Sequence, residues 1–149
     1  MKRSEIMIVK HVFIDTNVFD ELFLDGVAAP DIAFVLEYLK KRNLVGYTSA
    51  KTLMDVYYLI HAEKGWQTAN KRVRQIYSLV EICPQTQKEV REALALNWSD
   101  FEDAMQMASA KSQGVDLIIT LDRKFQNKDR SFIWSPADLK SFLISSKRI

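Results

Sequence analysis

The chain has 149 residues, of which 48% are hydrophobic and 27% charged, with only 4 glycines and 3 prolines. This composition excludes a disordered or low-complexity protein and is typical of a globular chain whose length suits one domain, which we expect to span residues 1–149. The formal net charge of +2 is too small to indicate nucleic-acid binding, so only local clusters of basic residues could carry that function.

The first half of the chain alternates between short apolar runs and helical patterns. In chain order, it predicts a strand at residues 12–14, helices at 18–24 and 32–39, a strand at 44–48 and a helix that begins at Ser49 and ends near Gly65. The strand at 12–14 is apolar at every position, as in parallel strands that are buried on both faces. Asp31, directly after Pro30, is predicted to cap the second helix.

The second half continues this alternation and adds two capping boxes. Its predicted elements are a basic helix at 67–79, a strand at 80–83, helices at 90–96 and 100–110, a strand at 117–120, a short strand at 132–134 and a terminal helix from Pro136. The boxes, at residues 86–89 and 99–102, pair Thr or Ser with Glu three residues later, which marks a helix N-terminus. We therefore assign Glu102 to capping, and Gly114 to the C-terminal end of the same helix.

Alternating strands and helices favour a parallel or mostly parallel sheet flanked by helices. In open sheets of this kind, ligands bind beyond the carboxyl ends of the strands. Two predicted strands end in aspartate, at Asp15 and Asp122, and helices that begin near such ends carry Asp55, Asp100 and Asp103. We expect these aspartates to converge at one edge of the sheet.

Carboxylates that are brought together repel each other and raise one another's pKa, unless a cation neutralises them. Hard ions such as Mg²⁺ or Mn²⁺ prefer oxygen ligands, and a pair of them can stabilise the attacking and leaving oxygens of a phosphodiester displacement. The sequence offers no competing cluster, because Cys83 lies in an apolar run and His11 and His61 fit no ligand pattern. The predicted site is therefore a Mg²⁺ or Mn²⁺ centre.

Taken singly, the aspartates differ in what they indicate. Asp15 ends a fully apolar strand, where an acidic residue has few structural reasons to occur. Asp100 and Asp103 share a helix face, but acidic residues in a first turn also suit the helix dipole. Asp122 fits a turn equally well, and Asp55 fits a solvent-facing helix position.

Three stretches resemble motifs of the PIN domain family. The first motif is resembled by Phe-Ile-Asp-Thr-Asn at 13–17. The third is resembled by Asp-Phe-Glu-Asp-Ala at 100–104, followed by Ala108 and Ala110. The fourth is resembled by Ile-Ile-Thr-Leu-Asp at 118–122, followed by Phe125. Three motifs in order over most of the chain are more specific than any one of them. The resemblance implies a three-layer α/β fold with a mostly parallel central sheet flanked by helices.

Carried over by position, the resemblance implies that Asp15, Asp103 and Asp122 bind metal, with Asp100 at an acidic position found in part of the family. The second motif usually has glutamate on the helix after the second strand. Asp55 stands at that position here, with a side chain shorter by one methylene. The expected catalytic carboxylates are thus Asp15, Asp55, Asp103 and Asp122, and the expected metal ligands are Asp15, Asp100, Asp103 and Asp122.

The resemblance also implies an endoribonuclease that hydrolyses RNA with Mg²⁺ or Mn²⁺. The family includes VapC-like toxins, which cut RNA as dimers and are often paired with an antitoxin, so we expect RNA, a second copy of the chain and an antitoxin protein as partners. Basic runs at 40–42, 71–74 and 123–124 are candidates for phosphate contact, although the sequence assigns that role to none of them.

Two rival activities are disfavoured, and a third stays open. A phosphoacceptor signalling domain needs a lysine at a later strand end, whereas Asp122 is itself followed by Arg123 and Lys124. A phosphatase of the DxDxT type needs a second aspartate where Asn17 stands. A non-enzymatic RNA- or protein-binding module on a PIN fold stays open because Asp55 departs from the family pattern.

The expected location is the cytoplasm. A single cysteine excludes an intramolecular disulfide and fits a reducing compartment. The apolar stretch at 6–9 is too short for a secretory signal, and no apolar segment approaches the ~20 residues of a membrane span.

Overall fold

The computed structural model describes residues 7–146, so the start of the apolar stretch at 6–9 and both ends of the expected domain lie outside the described residues. Five strands form one sheet: His11–Ile14 (β1), Val45–Ser49 (β2), Val80–Cys83 (β3), Leu117–Ile119 (β4) and Ile133–Trp134 (β5). Their order is β3-β2-β1-β4-β5, and each neighbouring pair is parallel. The expected parallel sheet is confirmed.

Helices cover both faces of this sheet. In the described part of the chain they are Thr16–Phe23 (α1), Ala29–Lys40 (α2), Ala50–Leu79 (α3), Gln87–Leu96 (α4), Phe101–Gln113 (α5), Arg123–Gln126 (α6) and Pro136–Ser146 (α7). None of them is both long and apolar enough to cross a membrane.

Strand β1 lies at the centre of the sheet, between β2 and β4, and its apolar side chains Val12, Phe13 and Ile14 are all buried. Val12 and Ile14 join the core cluster that includes α1, α2, α3 and α7, whereas Phe13 joins a second cluster with Met107 of α5. Successive side chains of a strand point to opposite faces, so each face of β1 contacts its own helical layer. This three-layer arrangement places the end of β1 in the middle of the carboxyl edge.

Two predicted caps are wrong by one to three residues. Ala28 occupies the N-cap position of α2, and Pro30, whose fixed φ suits a helical first turn, lies inside the helix. Asp31 therefore lies in the first turn, where its carboxylate accepts a hydrogen bond from Lys140. Helix α5 begins at Phe101, and its cap is Asp100 rather than Ser99. The other capping box is confirmed, since the carboxylate of Glu89 accepts from the backbone and hydroxyl of Thr86 at 2.7 and 2.6 Å.

The predicted break near Gly65 is confirmed as a kink. Two helical segments, counted together as α3, meet at Gly65, whose φ of 83° and ψ of 170° are not helical. This conformation is open to glycine and strained for residues with a side chain. The kink redirects the second half of α3 toward the start of β3.

Replacing Gly65 with alanine tests whether this kink is fixed by the fold. A Cβ at this position meets no atom within 4 Å, so the cost comes from the backbone alone. We expect the free energy of unfolding to fall by about 1–3 kcal/mol in urea denaturation. The control Lys64→Ala, at an exposed helical neighbour, should change it by less than about 0.5 kcal/mol. An unchanged or higher stability of Gly65→Ala would show that the kink is not required.

Candidate active site

A cavity of about 330 Å³ opens at the carboxyl edge of the sheet. Its lining contains seven carboxylates and one ammonium group, contributed by Asp15, Asp20, Asp55, Asp100, Glu102, Asp103, Asp122 and Lys51, and is completed by Thr16, Asn17 and Gln106. All five aspartates singled out from the sequence therefore line one cavity, which we call the acidic pocket. Three larger hollows occur along residues 7–146, one of which adjoins this pocket, but volume alone does not identify a site, and none of the three collects as many ionisable groups.

Asp15 is the most buried carboxylate of the pocket, with 7% of its surface exposed. It ends β1, caps α1 and accepts from the Thr16 backbone at 2.9 Å, Gln106 Nε2 at 3.0 Å and Thr120 Oγ1 at 2.8 Å. Burial raises the pKa of Asp15, and these three donors act in the opposite direction. The side chain is consequently fixed in one orientation before any ligand binds.

A hydrogen-bond network lies behind Asp15. Thr52 Oγ1 on α3 accepts from Gln106 Nε2 at 3.1 Å and pairs with Thr16 Oγ1 at 2.8 Å. Ser49 caps α3 by accepting from the Thr52 backbone at 3.1 Å, which agrees with the helix start predicted there. Asn17 accepts from the Leu121 backbone at 3.0 Å and thereby joins the ends of β1 and β4.

Two further aspartates of the pocket also cap helices. Asp100 accepts from the Asp103 backbone at 3.1 Å, and Asp122 accepts from the Lys124 backbone at 2.9 Å. The partial positive charge of a helix N-terminus stabilises a nearby carboxylate. Capping and site geometry are therefore compatible roles for these residues, and the short helix α6 that follows Asp122 was not predicted from the sequence.

Asp100, Asp103 and Asp122 form the tightest acidic group. One carboxylate oxygen of each lies within 4.8 Å of the others. No hydrogen bond to the Asp103 carboxylate occurs within residues 7–146, and its pKa is raised to about 7 by burial and then by the charges of Asp100, Asp15 and Asp122. Clustered oxygen donors with unrelieved repulsion fit a hard divalent cation.

Asp55 is held by a lysine of its own helix. Lys51 contacts Asp55 one turn later and Glu102 Oε1 of α5 at 2.8 Å. The assignment of Glu102 to capping is wrong, because Asp100 already caps α5 and the Glu102 carboxylate turns to Lys51. Asp55 is not a freely solvated helix position, since it lines the pocket and forms an ion pair with Lys51.

Three residues of the pocket were missed from the sequence: Asp20, Lys51 and Gln106. The pKa of Asp20 is raised to about 6 by burial and by the charges of Asp55 and Asp15, and its Oδ1 is buried with no hydrogen-bond partner in the described part of the chain. Helical spacing is the signal that could have found them. Asp20 follows Thr16 by one turn, Gln106 follows Asp103 by about one turn and Lys51 precedes Asp55 by one turn.

Residues set aside from the sequence lie outside the pocket. His11 Nδ1 lies 3.6 Å from Asp116, and His61 packs on Tyr57. Burial and the charge of Glu81 raise the pKa of Cys83 to about 12, which makes it an inert thiol at neutral pH.

The chain is similar in sequence to PIN domains and to a ribonuclease. A family model described as PIN domain matches residues 11–124. The chain is 27% identical over 124 residues to Ribonuclease VapC1 of Aquifex aeolicus (strain VF5), which covers 79% of this chain and 85% of that protein.

Solved structures with similar folds come from several bacteria. One is VapBC2 from Rickettsia felis, solved bound to a DNA fragment from their promoter, with TM-score 0.67, 16% identity and coverage of 84% of this chain and 97% of that chain. Another is VapC20 of Mycobacterium tuberculosis, described as a sarcin-ricin loop cleaving toxin, with TM-score 0.63, 16% identity and coverage of 78% and 94%. At these identities the likeness shows a shared fold.

Replacing Asp103 with asparagine tests the repulsion in the pocket. The folded chain keeps a proton on Asp103 up to about pH 7, whereas the unfolded chain releases it near 3.8. Between these values the folded state binds more protons, so the stability of the metal-free parent falls as pH rises. In urea unfolding with a chelator, Asp103→Asn should match the parent at about pH 4 and be more stable than the parent at about pH 8. The same difference at both pH values would contradict the assigned repulsion.

Proposed function

Because this chain belongs to the PIN domain family, we propose that it is an endoribonuclease that hydrolyses RNA phosphodiester bonds with Mg²⁺ or Mn²⁺. The observation that carries the proposal is the group of Asp100, Asp103 and Asp122 oxygens within 4.8 Å of one another. RNA as substrate is supported by the relative named a ribonuclease and by the structural neighbour described as cleaving the sarcin-ricin loop.

Asp15, Asp100, Asp103 and Asp122 would hold the metal. A divalent ion bound there supplies water activation at neutral pH and neutralises charge on the phosphoryl oxygens. The protein contributes position and charge: Asp15 is fixed by three donors, and Asp100 and Asp122 are each oriented by a backbone N–H. Asp103 has to ionise to bind a cation. Because its pKa is about 7, losing the proton costs little free energy near neutral pH.

The substrate would approach through a hollow that adjoins the acidic pocket. This hollow of about 750 Å³ shares Asp100, Glu102 and Asp103 with the pocket and is also lined by Lys124 and Lys128. Lysines suit the phosphates of a strand, and single-stranded RNA also stacks on exposed aromatic rings. Phe101 lines the same hollow with 47% of its surface exposed.

We further propose that the chain is the toxin of a toxin–antitoxin pair and acts as a homodimer. The support for an antitoxin partner is the set of related structures, which includes a toxin–antitoxin complex from Klebsiella pneumoniae and a DNA-bound VapBC from Salmonella typhimurium. The homodimer is what the family resemblance implies. A gene for a small DNA-binding protein next to this one, whose product copurifies with the chain, is the expected finding.

Loss of metal ligands tests the nuclease activity. Metal ions contribute several kcal/mol to such transition states, so Asp15→Asn and Asp103→Asn should each cut RNA about 100-fold more slowly or worse. Cleavage of structured and unstructured RNAs is followed with Mg²⁺ or Mn²⁺ and with chelator, which should abolish it. The control Asp25→Asn changes an exposed aspartate with positive φ that asparagine tolerates, and should keep full activity.

Cleavage by Asp15→Asn and Asp103→Asn at the parent's rate would contradict the proposal. If the parent binds RNA without cutting it under any metal condition, the alternative of a non-enzymatic RNA-binding module on this fold is favoured instead.

A further inference from the structure

We propose that the Lys51 ammonium group takes the place of a second metal ion in the acidic pocket. The pocket then binds one divalent ion per chain rather than two. This inference rests on the proposed function and concerns the same site. It follows from the way in which the seven carboxylates divide into groups.

One group consists of Asp100, Asp103 and Asp122, of which one carboxylate oxygen each lies within 4.8 Å of the others. A second group consists of Asp55 and Glu102, which lie on different helices and are bridged by Lys51. Within the described ranges of the chain, Lys51 is the one basic residue that lines the pocket. The position that a cation would occupy beside Asp55 and Glu102 is thus already taken by the Lys51 ammonium group.

The charge of this lysine is secured by its partners. Burial disfavours the ammonium form, but the hydrogen bonds to Asp55 and Glu102 outweigh that cost and raise the pKa of Lys51. With its ammonium group in place, Asp55 and Glu102 together present one net negative charge instead of two. A divalent ion would have to displace the ammonium from the same oxygens, and Mg²⁺ in particular loses its own water reluctantly.

The spacing of Asp55 and Lys51 strengthens this interpretation. The two residues lie one turn apart on α3, which brings the ammonium group to the Asp55 carboxylate. Glu102 of α5 adds a second carboxylate to the same ammonium group.

Titration calorimetry with Mn²⁺ on the full chain measures the number of ions bound. We compare the parent with Lys51→Met, which keeps an apolar stem without charge, and with Lys51→Arg, which keeps the cation. The matched control is Lys140→Met, because Lys140 has the same 34% side-chain exposure and pairs with Asp31 outside the pocket. Circular dichroism and thermal unfolding establish that each variant is folded.

The expected result is one Mn²⁺ for the parent, Lys51→Arg and Lys140→Met, and two for Lys51→Met. Adding Glu102→Gln to Lys51→Met should return the number to one, which locates the second ion. Two ions bound by the parent, or one ion bound by folded Lys51→Met, would overturn the inference. A parent that binds no Mn²⁺ contradicts the proposed metal-dependent function as well, so the two failures are distinguishable.

Discussion

The repulsion among carboxylates at one edge of the sheet is the constraint on which the rest of the site depends. Seven acidic side chains line a cavity of about 330 Å³, and such crowding costs free energy unless opposite charge is supplied. The fold offsets part of that cost, because the residues at the N-termini of α1, α5 and α6 are themselves Asp15, Asp100 and Asp122. What remains uncompensated is concentrated on Asp103 and Asp20.

The carboxylates of the pocket therefore differ in how the protein compensates their negative charge. Asp15 is buried and satisfied by hydrogen bonds, so its position is rigid. Asp55 and Glu102 are neutralised by an internal cation. Asp103 receives no hydrogen bond within the described residues, and burial and the neighbouring carboxylates raise its pKa to about 7.

Much of the fold could be predicted from the sequence because burial and chain direction leave clear patterns. The apolar run before Asp15 indicated a buried parallel strand, and the polar residues after it indicated the functional edge. Helix starts were less accurate, since Asp100 and Ser99 are both good caps and only tertiary contacts decide between them. Lys51 and Gln106 were missed because their roles depend on which helix face turns toward the pocket. Helical spacing places Lys51 on the face of Asp55 and Gln106 on the face of Asp103, but it does not say which faces turn toward the pocket.

The most direct test of the account is a crystal structure of the protein grown with Mn²⁺, with anomalous scattering data collected to locate the ion. The account predicts an anomalous peak in the acidic pocket, bounded by carboxylate oxygens of Asp100, Asp103 and Asp122. A well-ordered pocket without such a peak at saturating Mn²⁺, or with the ion bound only elsewhere on the chain, would contradict it.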